Sequence, residues 1–277
     1  MKCALKSAFF RFFKTRMLIW ILVFSVVVGL GIAFDSSTYS ITGSIISRPR
    51  YFDNDFLILS IIKVALVVPV GSAIFCTRFT GSDIAFRSIN NKISTGISRR
   101  NIYFAELIVS TFAVVLTVAV EMIIIFLYAK IVPVKCFIKV NKEIVLLIVM
   151  AFVVCIAFTL VYLLLQYFMN TQLLGLIISL LMIPCIYFGT QYIGALLQEP
   201  YRYSYQDEQT GELKWEINKK YVSGSARNVY TFVYRSSPYY AIETYETDVK
   251  DTMITAGVVI VVSTAAGLLA VNKKEYS

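Results

Sequence analysis

Histidine is absent from this chain of 277 residues, and only 16% of its residues are charged. Without histidine there is no imidazole to act as the general base of a serine or cysteine hydrolase, or as a metal ligand. The five cysteines stand apart, without a CxxC pair or a zinc-like spacing, so no disulfide framework or metal site is expected. None of the 13 glycines begins a GxxxxGK[ST] loop for nucleotide phosphates. These absences predict that the chain is not an enzyme and binds no cofactor of its own.

Long hydrophobic runs dominate what is present. Hydrophobic residues make up 58% of the chain, against roughly 45–50% in soluble domains. A helix needs about 20 apolar residues to cross about 30 Å of hydrocarbon. The six runs of about this length predict an all-α polytopic membrane protein with six transmembrane helices. We place these spans at Met17–Phe34, Phe56–Phe79, Ile102–Tyr128, Ile144–Phe168, Leu173–Leu197 and Met253–Val271.

Polar segments divide the chain into four parts. Residues 1–16 interleave basic side chains with leucine and phenylalanine, which predicts an amphipathic helix in the membrane interface. Residues 17–197 hold transmembrane helices one to five, and residues 251–277 hold the sixth helix and a tail. Between helices five and six, residues 198–250 form an insert with nine of the chain's 18 tyrosines. Within it, residues 201–217 alternate as a β-hairpin does around a turn.

The tyrosine-rich insert has two interpretations. One is an aromatic cap over the helix ends, because amphipathic rings favour the membrane interface. The other is a surface that contacts an amphipathic substrate as it leaves the bilayer. The residues expected to make either contact are Tyr201, Tyr203, Tyr205, Trp215, Tyr239 and Tyr240.

The distribution of basic residues predicts the orientation. Six spans place both termini on one side, together with residues 77–101 and 169–172. These segments hold 12 Lys and Arg in 51 residues, against 13 in 92 residues on the other side. Because basic loops stay in the cytoplasm, both termini are expected there and the insert outside. The basic residues that give the chain its net charge of +9 flank the spans. Membrane lipid is therefore the expected partner, and nucleic acid is not.

Two charged residues lie inside predicted spans. Lys63 and Glu121 each stand about seven residues from the outer end of the second and third spans, at the same expected depth of about 10 Å. Since an isolated charge there would cost several kcal/mol, an intramembrane ion pair is expected. Its role is either structural or the coupling of transport to an ion gradient.

The polar segment 81–100 predicts a short helix between the second and third spans. Ile89, Ile93 and Ile97 recur every four residues and are expected to pack against the bundle. Asp83 suits the N-terminal end of such a helix. The polar residues would face a soluble partner, unless the segment is only a basic surface loop. The candidate contact residues are Asp83, Phe86, Arg87, Asn90, Asn91, Lys92, Arg99 and Arg100.

Two motifs in the chain resemble a known family. The first is Arg87-x-x-Asn90-x-Lys92-Ile93-x-x-Gly96-Ile97-Ser98-Arg99-Arg100-x-Ile102-Tyr103, and the second is Asn218-x-Lys220-Tyr221-Val222-x-Gly224-x-x-Arg227 with Tyr230, Phe232, Tyr234 and Pro238 after it. Both are similar to segments of bacterial ABC-2-type exporter permeases, which include permeases linked to lantibiotic immunity and to peptide or drug export. The order of six spans, the amphipathic start and the large fifth loop fit the same family.

The resemblance implies a permease subunit in the bacterial plasma membrane. Such a subunit pairs with a second permease copy, either itself or a sister chain, and with cytoplasmic ATP-binding-cassette ATPases that carry ATP and magnesium. Residues Asp83 to Lys92 would form the coupling helix. The expected substrate is amphipathic: a peptide antibiotic, another peptide, a drug or a lipid-like molecule. Two alternatives stay open, an ion-coupled secondary transporter that uses Lys63 and Glu121, and a sensor or assembly subunit that does not transport.

Overall fold

The architecture is that of a computed structural model, which describes residues 1–38, 51–52, 54–86, 88–132, 135–136, 138, 140–169, 171–206, 213–237, 239–240 and 249–273. The described helices are α1 (Lys2–Lys14), α2 (Met17–Thr38), α3 (Asn54–Cys76), α4 (Ser82–Ala85), α5 (Ser88–Ser94), α6 (Arg99–Ile131), α7 (Lys142–Phe168), α8 (Gln172–Gln198), α9 (Gly224–Ser236) and α10 (Lys250–Lys273). The described strands are β1 (Tyr51–Phe52), β2 (Lys135–Cys136), β3 (Arg202–Gln206) and β4 (Leu213–Ile217).

The prediction of an all-α polytopic membrane protein is confirmed. Among the described residues, six helices are long and apolar enough to cross a bilayer, namely α2, α3 with its continuation to Ala85, α6, α7, α8 and α10. Their mean hydropathies run from 2.2 to 3.3. The apolar character of these segments therefore predicts both their number and their order correctly.

The bundle has a buried centre and a lipid-facing periphery. In their most apolar stretches, half or more of the residues of α3, α6 and α7 are buried, against about a fifth in α2, α8 and α10. The centre is closed by small and branched side chains, such as Ala73, Val118 and Ala151, none of which is exposed. The helices that gain least from burial inside this chain are therefore those that offer apolar surface to lipid or to a second chain.

The two ends of the bundle carry different structures. At one end, here named the loop end, α1 and the 81–100 segment lie together, and the Arg100 Nε donates to Asn272 Oδ1 at the end of α10 (3.3 Å). At the other, the hairpin end, β1 pairs with β2 in parallel and β3 pairs with β4 in antiparallel register, Arg202 opposite Ile217. The predicted β-hairpin of the insert is thus confirmed.

The insert also contains a helix that the sequence interpretation missed. Helix α9 packs against α8 and α10, with Tyr234 buried. Two of its other apolar side chains, Val229 and Phe232, are exposed by about 60%. An amphipathic helix of this kind suits the surface of a membrane, where one side meets apolar material.

The 81–100 segment is not the single helix that the sequence predicts. Helix α3 runs through a π-helical turn, Thr77–Gly81, directly into α4. Helix α4 ends at Ala85, and Phe86 has φ −89° and ψ 9°, which does not continue a helix. A second short helix, α5, then begins at Ser88. The Ser88 hydroxyl donates to the Asp83 main-chain carbonyl and side chain, so a side chain stabilises the corner between the two helices.

The π-helical turn is fitted closely to the fourth and fifth spans. Gln166 donates to the Thr77 hydroxyl (3.0 Å), and Gln172 donates to the Thr77 carbonyl (3.2 Å). A Cβ on Gly81 or on Gly175 would lie 2.6 or 2.5 Å from Gln166 Oε1. A side chain at either position would therefore displace the Gln166 amide from its bond to Thr77.

Candidate functional site

An ion cluster connects the 81–100 segment to the rest of the loop end. Its centre is Asp83, which is buried. The Asp83 carboxylate pairs with the Arg11 guanidinium of α1 and accepts from Lys92 Nζ of α5 (2.5 Å). Its second oxygen accepts from the Ser88 hydroxyl (2.8 Å). Charge-assisted hydrogen bonds are about twice as strong as neutral ones, so this side chain binds α1, α4 and α5 firmly to one another.

Glu106 of α6 extends the cluster into the bundle. The side chain is buried, and its Oε2 accepts a 2.6 Å hydrogen bond from the Tyr167 hydroxyl of α7. Its Oε1 lies 3.7 Å from Lys92 Nζ and 4.0 Å from the Arg11 guanidinium. Two acids thus balance two bases around one small volume. We name Arg11, Asp83, Ser88, Lys92, Glu106 and Tyr167 the anchor cluster.

Helix α1 reaches the cluster because one of its sides is small. Ala4 and Ala8 are buried, and α1 packs closely against α6. Small residues four apart allow two helices to approach in this way. Arg11, one turn further, then extends over the Phe79 ring at 4.0 Å and towards both carboxylates. A crevice of about 30 Å³ beside Arg11 and Glu106 has the volume of one water molecule.

The isoleucines of the 81–100 segment pack as the sequence predicts. Ile89 is buried against Tyr103, Leu163 and Tyr167, and Ile93 and Ile97 lie beside it. The segment is therefore held on its inner side by apolar contacts as well as by charge.

The predicted partner-facing residues of this segment divide into two groups. Phe86 is 81% exposed and Asn91 is exposed, which agrees with a contact surface. Asp83 and Lys92 point inwards, so the prediction that Lys92 is free to meet a partner is wrong. The physical reason is that two buried carboxylates, Asp83 and Glu106, attract the Lys92 ammonium.

The other predicted contact residues lie around this core. Arg100 is exposed and bonds to Asn272, while Asn90 and Arg99 are partly exposed and have partners. Arg87 lies outside the described residues.

The predicted ion pair between Lys63 and Glu121 is not formed. Lys63 Nζ instead donates to Asp35 Oδ2 at the end of α2 (2.7 Å) and to the Ser36 hydroxyl (3.3 Å). Glu121 is fully buried, and neither of its carboxylate oxygens has a hydrogen-bond partner in the described part of the chain. Lys63 reaches the end of α2, whereas Glu121 packs beside Gly29 inside the bundle.

The tyrosines of the insert do not form one surface. Tyr201, Tyr203 and Trp215 are exposed by 50%, 42% and 68%, as a contact surface requires. The Tyr239 and Tyr240 side chains are buried instead. For Tyr205 the structure describes only its place in β3.

Tyr239, one of the two buried tyrosines, packs against α8. The Tyr239 ring packs edge-on against Tyr187 of α8, and its hydroxyl donates to the Ile183 carbonyl at 3.5 Å. Removal from water raises the pKa of Tyr239 to about 12. The Tyr239 ring thus packs against the middle of α8, which favours a structural role for this part of the insert.

A cavity of about 580 Å³ lies beneath α9 at the hairpin end. Its walls are apolar side chains of α7, α8 and α10, with Phe232 and Val233 of α9 above them. Hydroxyls gather at one side, where Thr190 and Ser237 are 2.6 Å apart and Thr252 donates to the Arg235 carbonyl. A cavity with apolar walls and a few hydroxyls suits an amphipathic molecule.

Sequence reasoning missed four members of the anchor cluster, namely Arg11, Ser88, Glu106 and Tyr167. A signal for Arg11 was present, because Ala4, Ala8 and Arg11 share one face of an otherwise bulky helix. For Glu106 the signal was an acid in the first turns of a span that begins with basic residues. Nothing in the sequence around Tyr167 distinguishes it from the other aromatic residues of the fourth span.

Comparison with protein-family models finds none that matches the chain, and comparison with curated proteins finds no match either. What the fold shows by itself is a polytopic helical membrane protein with a charged anchor at the loop end.

Proposed function

We propose that this chain is the transmembrane permease subunit of an ATP-driven exporter of amphipathic molecules, with the ATPase on separate cytoplasmic subunits. The observation that carries this proposal is the two-sided construction of the 81–100 segment. Its inner side is fixed by the anchor cluster and Ile89, and its outer side presents Phe86, which is 81% exposed.

An exposed phenylalanine between two short helices is unfavourable in free energy unless another surface covers it. Burying a phenylalanine side chain contributes about 1.5–3 kcal/mol. On a firmly held corner, such a side chain suits a pocket on a soluble partner, where a single aromatic anchor often dominates binding. Asn91, in the following helix α5, is exposed as well.

The anchor cluster supports the mechanical part of this role. A force on α4 and α5 passes through Asp83 to α1, and through Lys92 to Glu106 in α6. Tyr167 extends the connection to α7. Because the segment continues α3 directly, a partner that tilts it would move at least three spans together.

At the other end, the proposal assigns the amphipathic substrate to the cavity beneath α9. The exposed hairpin residues Tyr203 and Trp215 lie on the same insert. Under this proposal the loop end is cytoplasmic, the hairpin end is outside, and the membrane is the plasma membrane of a bacterium. A second permease copy would cover apolar surface of the peripheral spans α2, α8 or α10.

The test is ATP hydrolysis by the complex that purifies with the full-length chain from its native membrane. We expect vanadate-sensitive hydrolysis that an amphipathic peptide stimulates, although the chain has no phosphate loop of its own. Phe86→Ser is expected to reduce recovery of the ATPase about tenfold or more, in line with the loss of an aromatic anchor. The matched control is Phe168→Ser, which removes a phenylalanine that is 56% exposed at the end of α7. Equal recovery with both variants, or hydrolysis that no ATPase partner accounts for, would refute the proposal.

A second candidate function rests on Glu121. A buried carboxyl group without a partner inside a span is the usual mark of an ion or proton pathway. If the chain is an ion-coupled transporter, purified protein without any ATPase moves substrate on a proton or sodium gradient, and Glu121→Gln stops it. Transport that needs ATP and survives Glu121→Gln excludes this alternative.

A further inference from the structure

A groove at the loop end, separate from the anchor cluster, has the form of a lipid site. It has a volume of about 590 Å³ and lies between α2, α3 and α6. Apolar side chains form most of its wall, among them Trp20, Phe24, Val68, Phe75 and Val114. Arg16 and Arg78 line the same groove, and we name it the arginine groove.

Both arginines stand at one end of the groove. Arg16 lies in the turn between α1 and α2, and Arg78 lies in the π-helical turn that ends α3. Both side chains are exposed, and neither forms an ion pair with a residue that the structure describes. They differ in this from Arg11 and Lys92, whose charges are balanced within the anchor cluster.

The depth of the groove matches one leaflet. From Arg16 to Phe24 along α2 is eight residues, or about 12 Å of helix. Half of the hydrocarbon layer is about 15 Å thick. The deep end is closed where Phe24 packs on Gly71, since a Cβ there would lie 2.5 Å from the ring. Two cations at headgroup depth above a closed apolar channel fit the phosphate of one lipid and one of its acyl chains.

The groove opens to the lipid side of the bundle. Trp20 is 69% exposed and Ile74 is 46% exposed, so a molecule can enter from the surrounding leaflet. The hydroxyls of Ser72 and Thr117 donate to carbonyls of their own helices, whereas the buried Ser110 hydroxyl on the same wall has no hydrogen-bond partner among the described residues. The rest of the inner wall is apolar, as contact with an acyl chain requires.

We propose that the arginine groove binds one anionic phospholipid, with its phosphate at Arg16 and Arg78 and an acyl chain along α2, α3 and α6. Basic groups between transmembrane helices at the headgroup level recognise such lipids. A second copy of the chain fits the groove less well. At the loop end, the described carboxylates Asp83 and Glu106 are both buried in the anchor cluster and are not available to pair with these arginines.

The site is independent of the transport proposal and has a direct optical reporter. Trp20 lines the groove, and Trp215 is the other tryptophan of the chain. In a Trp215→Phe background, Trp20 fluorescence reports contact with brominated acyl chains in bilayers. The probes are brominated phosphatidylglycerol and brominated phosphatidylcholine with the same chains, each mixed into unlabelled phosphatidylcholine.

Brominated phosphatidylglycerol is expected to quench Trp20 at a much lower mole fraction than brominated phosphatidylcholine. Each arginine is expected to supply about a fivefold preference, since a basic residue near an anionic lipid contributes about 1 kcal/mol. Arg16→Gln with Arg78→Gln should abolish the preference. Arg16→Lys with Arg78→Lys should keep most of it, which separates charge recognition from misfolding. The control that removes the same charge outside the groove is Lys6→Gln with Lys14→Gln, and it should change the preference less than about twofold.

Three results would overturn the proposal. Equal quenching by both lipids would show ordinary lipid contact without a site. Release of phosphatidylglycerol by millimolar inorganic phosphate would show a site for a free anion. If crosslinking two copies into a dimer shields Trp20 from quenching by both lipids, a second copy of the chain occupies the groove.

Discussion

Helix α6 buries two glutamates in opposite environments. Glu106, near the loop end, accepts from Tyr167 and lies within 4.0 Å of two cations. Glu121, deep in the same helix, has no hydrogen-bond partner on either oxygen among the described residues. The desolvation of a buried carboxyl is offset only where partners from other helices converge on it, as they do at Glu106. The first of these sites therefore serves structure, and the second is open to another role.

The largest expected effect is the loss of both cations of the anchor cluster. Arg11→Gln with Lys92→Gln leaves Asp83 and Glu106 buried without a counter-charge. We expect the free energy of unfolding to fall by about 3–5 kcal/mol, as when buried pairs are broken. Thermal unfolding of the purified protein in detergent measures it. The control, Lys6→Gln with Lys14→Gln, removes the same charge from exposed positions and should cost less than about 1 kcal/mol. Equal losses in both proteins would mean that the cluster does not hold the loop end.

Tyr167→Phe is expected to have the next largest effect. It removes the 2.6 Å hydrogen bond to Glu106 without changing the shape of the ring. A hydrogen bond to a charged group contributes about 1.5–3 kcal/mol. The matched control is Tyr162→Phe, one turn and a half away on α7. Its hydroxyl is buried and has no described partner, so its removal should be neutral or stabilising. A difference of less than about 0.5 kcal/mol between the two variants would contradict the assigned bond.

Replacing each of the two glutamates of α6 by methionine is expected to change the stability of the protein in opposite directions. Glu121→Met replaces an unpartnered carboxyl by an apolar side chain of similar length, and should raise stability by about 1 kcal/mol. Glu106→Met should lower it, because Tyr167 and the two cations lose their acceptor. Melting curves of both variants in the same detergent measure the two changes. A stable Glu121→Met protein that no longer transports would assign this glutamate to function.

The smallest expected effect concerns Lys63. Because the Asp35 side chain is 56% exposed, a double-mutant cycle between Lys63→Met and Asp35→Asn should give a coupling of only about 0.2–1 kcal/mol. The cycle between Lys63→Met and Glu121→Gln should be additive, since the two residues do not touch. A coupling above 1 kcal/mol in the second cycle would restore the predicted intramembrane pair.

Most of the architecture was predictable from hydropathy and from local residue patterns. The six spans, the amphipathic α1 and the β3–β4 hairpin were all predicted at nearly their observed positions. Each depends on residues close together in the chain, because a span is defined by its own length and polarity. The packing of Ile89 was also predictable, since it follows from the spacing of apolar residues within one short segment.

The pairing of charges was decided by the tertiary structure. Lys63 binds Asp35 and not Glu121, and Lys92 turns inwards to Asp83. Such pairs depend on which helices are neighbours and on the rotation of each about its axis. Spans that are apolar on every side do not encode that rotation in a simple periodicity. The sequence by itself determined that this is a six-span membrane protein with a basic loop end, and only the folded bundle decided which charges meet and where the arginine groove opens.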